Sequence, residues 1–205
     1  MRVMTNSLNS KNKHRCVLFL VVGPSGVGKD SLIDGAKAAL EGNPQFVFPR
    51  RTITRAADAG GEVHHTISES DFETEEVAGS FALSWRAHGL AYGILKTIVD
   101  DLAADRSVIV NVSRSILDQA RQNFPSLRVI SIRASEPVLA KRLAERGREG
   151  EADIRERLDR AKAYDVAGSD VIELVNDGTV KAAVERFVAI LRETTQLPNR
   201  KRAVC

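Results

Sequence analysis

GPSGVGKDSL, residues 23–32, is the most informative stretch of this chain. It has the form G-x-x-x-x-G-K, follows the apolar run CVLFLVV at 16–22, and opens a helical pattern at about 29–40. Glycines in such a turn let successive backbone N–H groups face phosphate oxygens, and the helix N-terminus adds positive potential. We therefore predict a phosphate-binding loop that contacts a nucleotide through Gly23, Pro24, Ser25, Gly26, Val27, Gly28, Lys29, Asp30 and Ser31, with Lys29 reaching the terminal phosphates.

Asp30 is the unusual residue of this loop, because the loop lysine is normally followed by a serine or threonine whose hydroxyl contacts magnesium. A carboxylate beside a polyphosphate is repelled unless a cation lies between the two. We favour Asp30 as a magnesium ligand, direct or through water, with Ser31 supplying a hydroxyl. The alternative is an acidic residue placed favourably in the first turn of a helix.

The bulk composition favours one intracellular globular domain. The chain has 205 residues, 43% of them hydrophobic and 28% charged, and a formal net charge of +3 that comes partly from KNKHR and NRKR near its ends. This balance does not require a nucleic-acid partner. Two cysteines form no disulfide framework, and no apolar run is long enough to span a membrane or to form a signal peptide. We expect a cytoplasmic protein with neither a nucleic-acid nor a membrane partner.

Strand and helix patterns alternate along most of the chain. Apolar runs predict buried strands at 16–22, 107–112, 127–133 and 170–175, and helical patterns lie at about 114–123, 135–146, 151–164 and 180–191. This order predicts an α/β fold with a central parallel sheet and right-handed crossovers. We expect a disordered tail at 1–14, a single domain at 15–195, and a basic tail at 196–205.

Two segments depart from this alternation. Residues 46–94 contain short, partly alternating strands and an acidic helix around DFETEEVA, which predicts an inserted, partly antiparallel lobe. Residues 142–157 contain arginines on either side of a glycine break, which is typical of a basic helical lid that closes over a nucleotide. The alternative for the lid is a helix stabilised by pairs four residues apart, such as Asp153 and Arg157.

The motifs together resemble the guanylate kinase superfamily from about residue 15 to 190. The resemblance rests on the phosphate loop, on TR-x4-GGE at 54–62, and on F-x3-W with G-x2-Y-G at 81–93. It implies a P-loop kinase fold whose lobe binds the acceptor, with Arg55 and Tyr92 as phosphate ligands. The second phosphate-binding arginine of the pattern is Asp58 here, and the guanine-reading glutamate and serine fall on Leu83 and Ile94. Apolar side chains cannot pair with guanine, so GMP is a poor candidate acceptor.

One branch of the superfamily has the same departures. GPSG-x-GKDSL, GGE-x-H, ALSW-x-A-x-GL-x-YG and VIVN-x-SR are similar to the ribose 1,5-bisphosphate phosphokinases of bacterial phosphonate degradation. This resemblance implies transfer of the γ-phosphoryl group of ATP, with Mg²⁺, to the 1-phosphate of ribose 1,5-bisphosphate, giving 5-phosphoribosyl 1-diphosphate. It also implies that an aspartate after the loop lysine is normal in this branch. Because the acceptor is a phosphate dianion, we expect no general base.

The resemblance also supplies candidate residues. It implies substrate contacts by Arg55, Glu62, His64 and Tyr92, and catalysis by Lys29, Arg146 and Arg157. Further candidates for substrate contacts are Asn111, Ser113 and Arg114, because they lie at the carboxyl end of a predicted parallel strand, where open α/β sheets bind ligands. An acid occupies the position of Asn111 in guanylate kinases, so the neutral residue leaves a metal-linked role to Asp30. Arg148 is left open in the lid, and Arg50, Arg51 and Arg86 are left open as ligands of the 5-phosphate. Asn176, Asp177 and Gly178 form either a loop near adenine or a turn before a helix.

Two rival functions remain at this point. One is a guanylate-kinase-like nucleoside monophosphate kinase with an altered acceptor pocket, which Leu83 and Ile94 disfavour. The other is a non-catalytic guanylate-kinase-like binding module, which the intact Gly28 and Lys29 disfavour. The sequence leaves the oligomeric state open, a dimer included.

Overall fold

The computed structural model describes residues 16–56, 63–145, 155, 157–159, 161 and 165–196. Several residues singled out from the sequence lie outside the described residues. They are Asp58, Glu62, Arg146, Arg148, the tail predicted at 1–14, and residues 197–205 of the tail predicted at 196–205.

Nine strands and six helices have defined bounds within the described residues. The strands are β1 Leu18–Val22, β2 Phe46–Val47, β3 Thr52–Ile53, β4 His65–Thr66, β5 Phe81–Ala87, β6 Leu90–Leu95, β7 Ser107–Asn111, β8 Leu127–Arg133 and β9 Val171–Val175. The helices are α1 Lys29–Ala39, α2 Glu69–Val77, α3 Thr97–Ala103, α4 Leu117–Asn123, α5 Glu136–Glu145 and α6 Val180–Gln196; a 3-10 turn at Arg114–Ile116 precedes α4. None of the described helices is long and apolar enough to cross a membrane.

The large sheet has five parallel strands in the order β2-β7-β1-β8-β9. Alternate residues of β1 face opposite sides, so Phe19 packs in one apolar cluster with Leu32 of α1 and Phe187 of α6. On the other side, Leu20 packs in a second cluster with Ile98 of α3. The central parallel sheet predicted from the sequence is therefore confirmed, with an apolar core on each face.

β9 differs from the prediction that all four apolar runs are buried strands. Of its five residues only Leu174 is buried, whereas every residue of β1 is buried. The reason is position, because β9 lies at the edge of the large sheet and β1 at its centre. An apolar run alone does not distinguish these two positions.

The second sheet contains four strands in the order β4-β3-β6-β5, with β5 and β6 antiparallel and β3 and β4 parallel. This partly antiparallel sheet forms the lobe expected between residues 46 and 94. β2, at the start of that range, instead pairs with β7 in the large sheet, so the second sheet begins at Thr52. α2 covers the outer face of the lobe, where Phe72 stacks on Phe81 with ring centroids 4.6 Å apart.

α6 extends to Gln196, beyond the predicted end at about 191. Thr194 and Thr195 are buried in its last turn, where their hydroxyls donate to the carbonyls of Ile190 and Leu191. Because these threonines satisfy their own polar groups within the helix, they replace apolar residues without ending it.

Candidate active site

The phosphate loop joins β1 to α1 in the conformation that its glycines allow. Gly26 and Gly28 have φ angles of 86° and 95°, in the left-handed region that disfavours other residues. Gly28 is the N-cap of α1 and has no side chain to accept the N–H groups of the first turn. The backbone N–H groups at the start of α1 therefore form a site for an anion.

Lys29 folds back over the loop that precedes it. Its Nζ donates hydrogen bonds to the carbonyl oxygens of Gly23 at 2.6 Å and Pro24 at 3.1 Å. These contacts hold the ammonium group beside the loop, where it adds positive charge to the backbone N–H groups.

Asp30 and Asn111 meet although 81 positions separate them in sequence. Asn111 Nδ2 donates a hydrogen bond of 2.9 Å to Asp30 Oδ1. Asn111 is the last residue of β7 and is 8% exposed, whereas Asp30 lies exposed in the first turn of α1. Because β1 and β7 are paired in parallel, the end of β7 and the start of the helix that follows β1 lie on the same, carboxyl-terminal side of the sheet.

A described residue of the predicted lid contacts the same loop. Arg157, in a helical part of the chain, donates from Nη1 to Ser25 Oγ at 2.6 Å. A second cation therefore lies against the phosphate loop, on a segment far from it in sequence.

A cavity of about 600 Å³ lies between the loop, the carboxyl end of β7 and the second sheet. It is lined by Gly23, Pro24, Ser25, Lys29, Arg51, Trp85, Ala87, His88, Tyr92, Asn111, Val112, Ser113, Arg114, Arg157 and Ala161. Four of these residues are cationic, and none of the described residues that line the cavity is acidic. Such a lining favours a ligand with several negative charges.

The second sheet closes this cavity with aromatic and apolar side chains. Trp85 and Tyr92 lie on facing strands and stack with ring centroids 5.2 Å apart and an interplanar angle of 5°. Leu83 and Ile94, also paired across β5 and β6, are only 1% and 0% exposed within the apolar core. The positions that align with guanine readers therefore present no polar group to a ligand.

Arg55 and His64 lie together but outside the lining of this cavity. Arg55 Nη2 is 3.4 Å from His64 Nδ1, and His64 Nε2 is 3.2 Å from the Arg55 carbonyl oxygen. Arg55 Nε is buried without a hydrogen-bond partner among the described residues. The structure thus brings Tyr92, Asn111, Ser113 and Arg114 to the cavity, and it places Arg55 and His64 elsewhere.

Arg86 faces away from the cavity, since successive side chains of β5 alternate between faces. It bonds both carboxylate oxygens of Glu76, at 3.3 and 2.9 Å, and its guanidinium lies 4.8 Å from the centroid of Phe72. The hydrogen bond from Arg86, followed by one from Ser84, lowers the pKa of Glu76, and the bond to Glu76 raises the pKa of Arg86. Arg86 therefore belongs to the packing of α2 on β5.

A second cavity, of about 240 Å³, is lined by Gly26, Gly28, Ser31, Leu32, Arg142, Glu145, Asn176 and Val180. Asn176 Nδ2 donates to the carbonyl oxygen of Val27 at 2.8 Å, while its buried Oδ1 has no hydrogen-bond partner among the described residues. The Asn-Asp-Gly sequence at 176–178, which the sequence leaves open between a loop near adenine and a turn, places Asn176 in the lining of this second cavity. Arg142 could not be distinguished by sequence from the other lid arginines.

Sequence reasoning missed the contribution of Trp85, Ala87 and His88 to the larger cavity. The signal was present, because alternation along β5 places residues 85 and 87 on the face opposite Arg86. Trp85 is in fact both buried, at 6% exposure, and part of the cavity wall.

Comparisons with known proteins agree with this architecture. Residues 15–194 match the family model described as guanylate kinase. A solved guanylate kinase from Anaplasma phagocytophilum superposes with a TM-score of 0.61 at 18% identity, covering 89% of this chain and 88% of that one. At this level of identity, the superposition supports the fold alone.

Curated relatives are more similar in sequence. Ribose 1,5-bisphosphate phosphokinase PhnN of Brucella melitensis is 45% identical over 173 residues, which are 84% of this chain and 90% of the relative. The protein of the same name from Agrobacterium fabrum is 44% identical over 177 residues, 86% of this chain and 97% of that one.

A bifunctional ribose 1,5-bisphosphokinase-thymidine phosphorylase of Azorhizobium caulinodans is 49% identical over 175 residues, which are 85% of this chain. The chain spans only 25% of that longer relative. The family match and the relatives that this chain covers almost end to end show that it belongs to the guanylate kinase family, in the group whose curated members are named ribose 1,5-bisphosphate phosphokinase.

Proposed function

We propose that this chain transfers the γ-phosphoryl group of ATP to the 1-phosphate of ribose 1,5-bisphosphate, giving 5-phosphoribosyl 1-diphosphate and ADP. The observation that carries the proposal is the cavity at the phosphate loop, whose described lining has four cationic residues and no acidic one. The positions that align with the base-reading residues of guanylate kinases, Leu83 and Ile94, are buried in the apolar core and do not line the cavity. A sugar that carries two phosphates suits this lining better than a nucleotide. The names of the relatives support the same substrate.

The proposed reaction needs no general base. An oxygen of the 1-phosphate attacks the γ-phosphorus, a new P–O bond forms, and the bond from the γ-phosphorus to the bridging oxygen breaks, releasing ADP. Since the attacking group is already an anion, the protein's task is to align the two phosphates and to stabilise charge during transfer.

The proposed role of each described cation in the reaction follows from its position. Lys29 and the loop N–H groups bind the polyphosphate of ATP, and Arg157 stabilises charge as the phosphoryl group moves. Arg146 shares this role in the proposal. On the acceptor side the proposed contacts are Tyr92, Asn111, Ser113 and Arg114, which line the cavity. For Arg55 and His64, which lie outside that lining, and for Glu62, which lies outside the described residues, a contact with the acceptor rests on the resemblance alone.

The second cavity is the proposed location for the base of ATP. Asn176 Oδ1 is a buried acceptor without a partner among the described residues, and the exocyclic amino group of adenine is a donor. Burying that oxygen unpaired is costly, so a ligand donor there is stabilising.

The donor set at the loop fits a magnesium ion. Mg²⁺ is bound in kinases by one or two protein oxygen ligands together with substrate phosphates, and it needs no cluster of acidic residues. Among the described residues there is no group of three or more His, Cys, Asp or Glu side chains placed to hold a metal. Asp30 and Ser31 would hold the ion, which when bound neutralises the charge on the phosphates. Asn111 orients the Asp30 carboxylate.

A coupled ADP-release assay with Mg-ATP tests the proposal by comparing ribose 1,5-bisphosphate, ribose 5-phosphate and GMP as acceptors. We expect turnover with the bisphosphate alone, above the rate of ADP release without acceptor. Turnover with GMP would contradict the proposal, because guanine would have to be recognised although the aligned base-reading positions, Leu83 and Ile94, are apolar and buried.

A further inference from the structure

We propose that Arg51 binds the second, non-reacting phosphate of a sugar bisphosphate and so selects a bisphosphate over a sugar monophosphate. This inference rests on the proposed function and adds to it the residue that determines specificity. Arg51 lines the same cavity as Lys29 but enters it from the second sheet.

The fold holds the Arg51 guanidinium in a defined place. Arg51 immediately precedes β3, whose Thr52 pairs with Gly93 and whose Ile53 pairs with Tyr92. Its guanidinium carbon lies 5.1 Å from the centroid of the Tyr92 ring, which stacks in turn on Trp85. Because Trp85 is buried, the Arg51–Tyr92–Trp85 stack fixes the arginine to the core of the lobe.

Stacking and phosphate binding use different parts of a guanidinium group. The planar face contacts the ring, whereas the five N–H donors point outward in the plane of the group. The contact with Tyr92 therefore orients Arg51 through the face of its guanidinium group, and the edge of such a group is the part that binds a phosphate in bidentate fashion.

The other cations of the cavity belong to other parts of the fold than the second sheet. Lys29 contacts carbonyl oxygens of the phosphate loop, Arg157 contacts Ser25 of that loop, and Arg114 follows β7 next to the Asn111–Asp30 pair. The two phosphates of ribose 1,5-bisphosphate are attached to opposite sides of the sugar, so they need cations on two separate walls. Arg51 is the cation that the second sheet supplies among the described lining residues.

Arg50 and Arg86, the other arginines that the sequence leaves open, do not supply a cation to this wall of the cavity. Arg86 is bonded to Glu76 on the outer face of the lobe, and Arg50 is exposed and does not line the cavity. Besides Arg51, the described lining that comes from the second sheet and its β5–β6 turn consists of Trp85, Ala87, His88 and Tyr92, and none of these residues is acidic. Of the three arginines that the sequence leaves open as ligands of the 5-phosphate, Arg51 is the one that lines the cavity.

Calorimetric titration of the full chain with ribose 1,5-bisphosphate and with ribose 1-phosphate, without ATP, tests this inference independently of turnover. We expect the unmodified protein to bind the bisphosphate about 10- to 100-fold more tightly, which corresponds to one charged hydrogen-bonded contact. In Arg51→Gln this preference should fall to about 3-fold or less, while affinity for ribose 1-phosphate changes by less than about 3-fold. Arg51→Lys should retain part of the preference, because it keeps the charge but not the planar fork.

Arg50→Gln is the matched control and should bind both ligands as the unmodified protein does. Thermal unfolding of each variant checks that the lobe remains folded. Equal weakening of both ligands in Arg51→Gln, or an unchanged preference, would overturn the proposal, as would equal affinity of the unmodified protein for the two sugars. Tight, Arg51-dependent binding of the bisphosphate without ADP release would support the role of Arg51 and refute the proposed reaction.

Discussion

Asn111 Nδ2 donates a hydrogen bond of 2.9 Å to Asp30 Oδ1 and so connects the end of β7 to the first turn of α1. The amide restricts the orientation of the Asp30 side chain at the place where a magnesium ion is proposed. An ionised carboxylate has about four acceptor sites, so one donated hydrogen bond leaves it able to contact a cation. The pair offers a physical reason for an acid after the loop lysine.

Removing the Asn111 amide should weaken the response to magnesium. In Asn111→Leu the number and branching of the side-chain heavy atoms are kept, but Asp30 loses its orienting donor. We expect the Mg²⁺ concentration for half-maximal activity to rise about 10-fold, as for other residues that orient metal ligands. Magnesium titrations at fixed ATP measure this, and an unchanged midpoint would contradict it.

Moving the carboxylate from position 30 to position 111 tests the same pair by rescue. Asp30→Ala alone should impair the magnesium response more than Asn111→Leu does, because it removes the proposed ligand itself and supplies no hydroxyl in its place. The double variant Asp30→Ala with Asn111→Asp returns one carboxylate to the same carboxyl-terminal side of the sheet, and should recover part of the response. If Asp30→Ala leaves the magnesium requirement intact, Asp30 has only a role in the helix.

Lys29→Met should reduce kcat/KM by about 100- to 1,000-fold, since it removes a positioned charge from the transferring phosphates. Lys37→Met is the control, because Lys37 is exposed near the other end of α1. Steady-state kinetics at saturating acceptor measure the change. A loss of less than about 3-fold in Lys29→Met would argue against catalysis by this loop.

Arg157 and Arg155 provide a matched comparison within the lid. Arg157 contacts Ser25 of the phosphate loop, whereas Arg155 is exposed. Arg157→Ala should lower kcat about 100-fold with a smaller effect on the KM for ATP, because its charge acts mainly during transfer. Arg155→Ala should behave like the unmodified protein. Equal losses in the two variants would indicate that the lid contributes only a general positive field.

The sequence predicts the phosphate loop and its flanking elements closely. The expected helix at about 29–40 is α1 at Lys29–Ala39, because the loop glycines set its start and the apolar spacing of Leu32, Ala36 and Leu40 sets its buried face. Local signals of this kind depend on neighbouring residues, so they can be read without knowing the sheet order.

The contacts that assemble the site were not accessible in this way. Asp30 and Asn111 meet only because β7 lies next to β1, and Arg51 is distinguished from Arg50 and Arg86 only by the register of β3, β5 and β6. The edge position of β9 likewise depends on strand order. Each of these facts is a property of the tertiary arrangement rather than of a local pattern.

Arg121 should contribute to stability rather than to catalysis. It donates to Asp170 from Nε at 3.0 Å and to the carbonyl oxygen of Ala167 from Nη2 at 2.8 Å, and these bonds attach the segment before β9 to α4. The hydrogen bond with Asp170 raises the pKa of Arg121. Arg121→Ala should lower the free energy of unfolding by about 1–2 kcal/mol, with unchanged KM values.

Urea denaturation measures the stability effect of Arg121→Ala, and Arg192→Ala, at an exposed position on α6, is the control. Arg121→Lys should lose nearly as much stability as Arg121→Ala, since a single ammonium group cannot bond both partners in the same geometry. Loss of activity without loss of stability would contradict this assignment.

The Glu76–Arg86 pair predicts a dependence of stability on pH. The pKa of Glu76 is lowered in the folded protein, first by the hydrogen bond from Arg86 and then by that from Ser84. A lowered folded-state pKa means that the stabilisation is present above the unfolded-state pKa of glutamate, about 4.3, and is lost as pH falls through the folded-state value.

Glu76→Gln should therefore be less stable than the unmodified protein at pH 7, by at most about 1 kcal/mol because the pair is partly exposed. The difference should shrink as the pH is lowered from about 4.3. Thermal unfolding between neutral and acidic pH measures this, and a difference that grew towards acid would mean that Glu76 is not held ionised by Arg86.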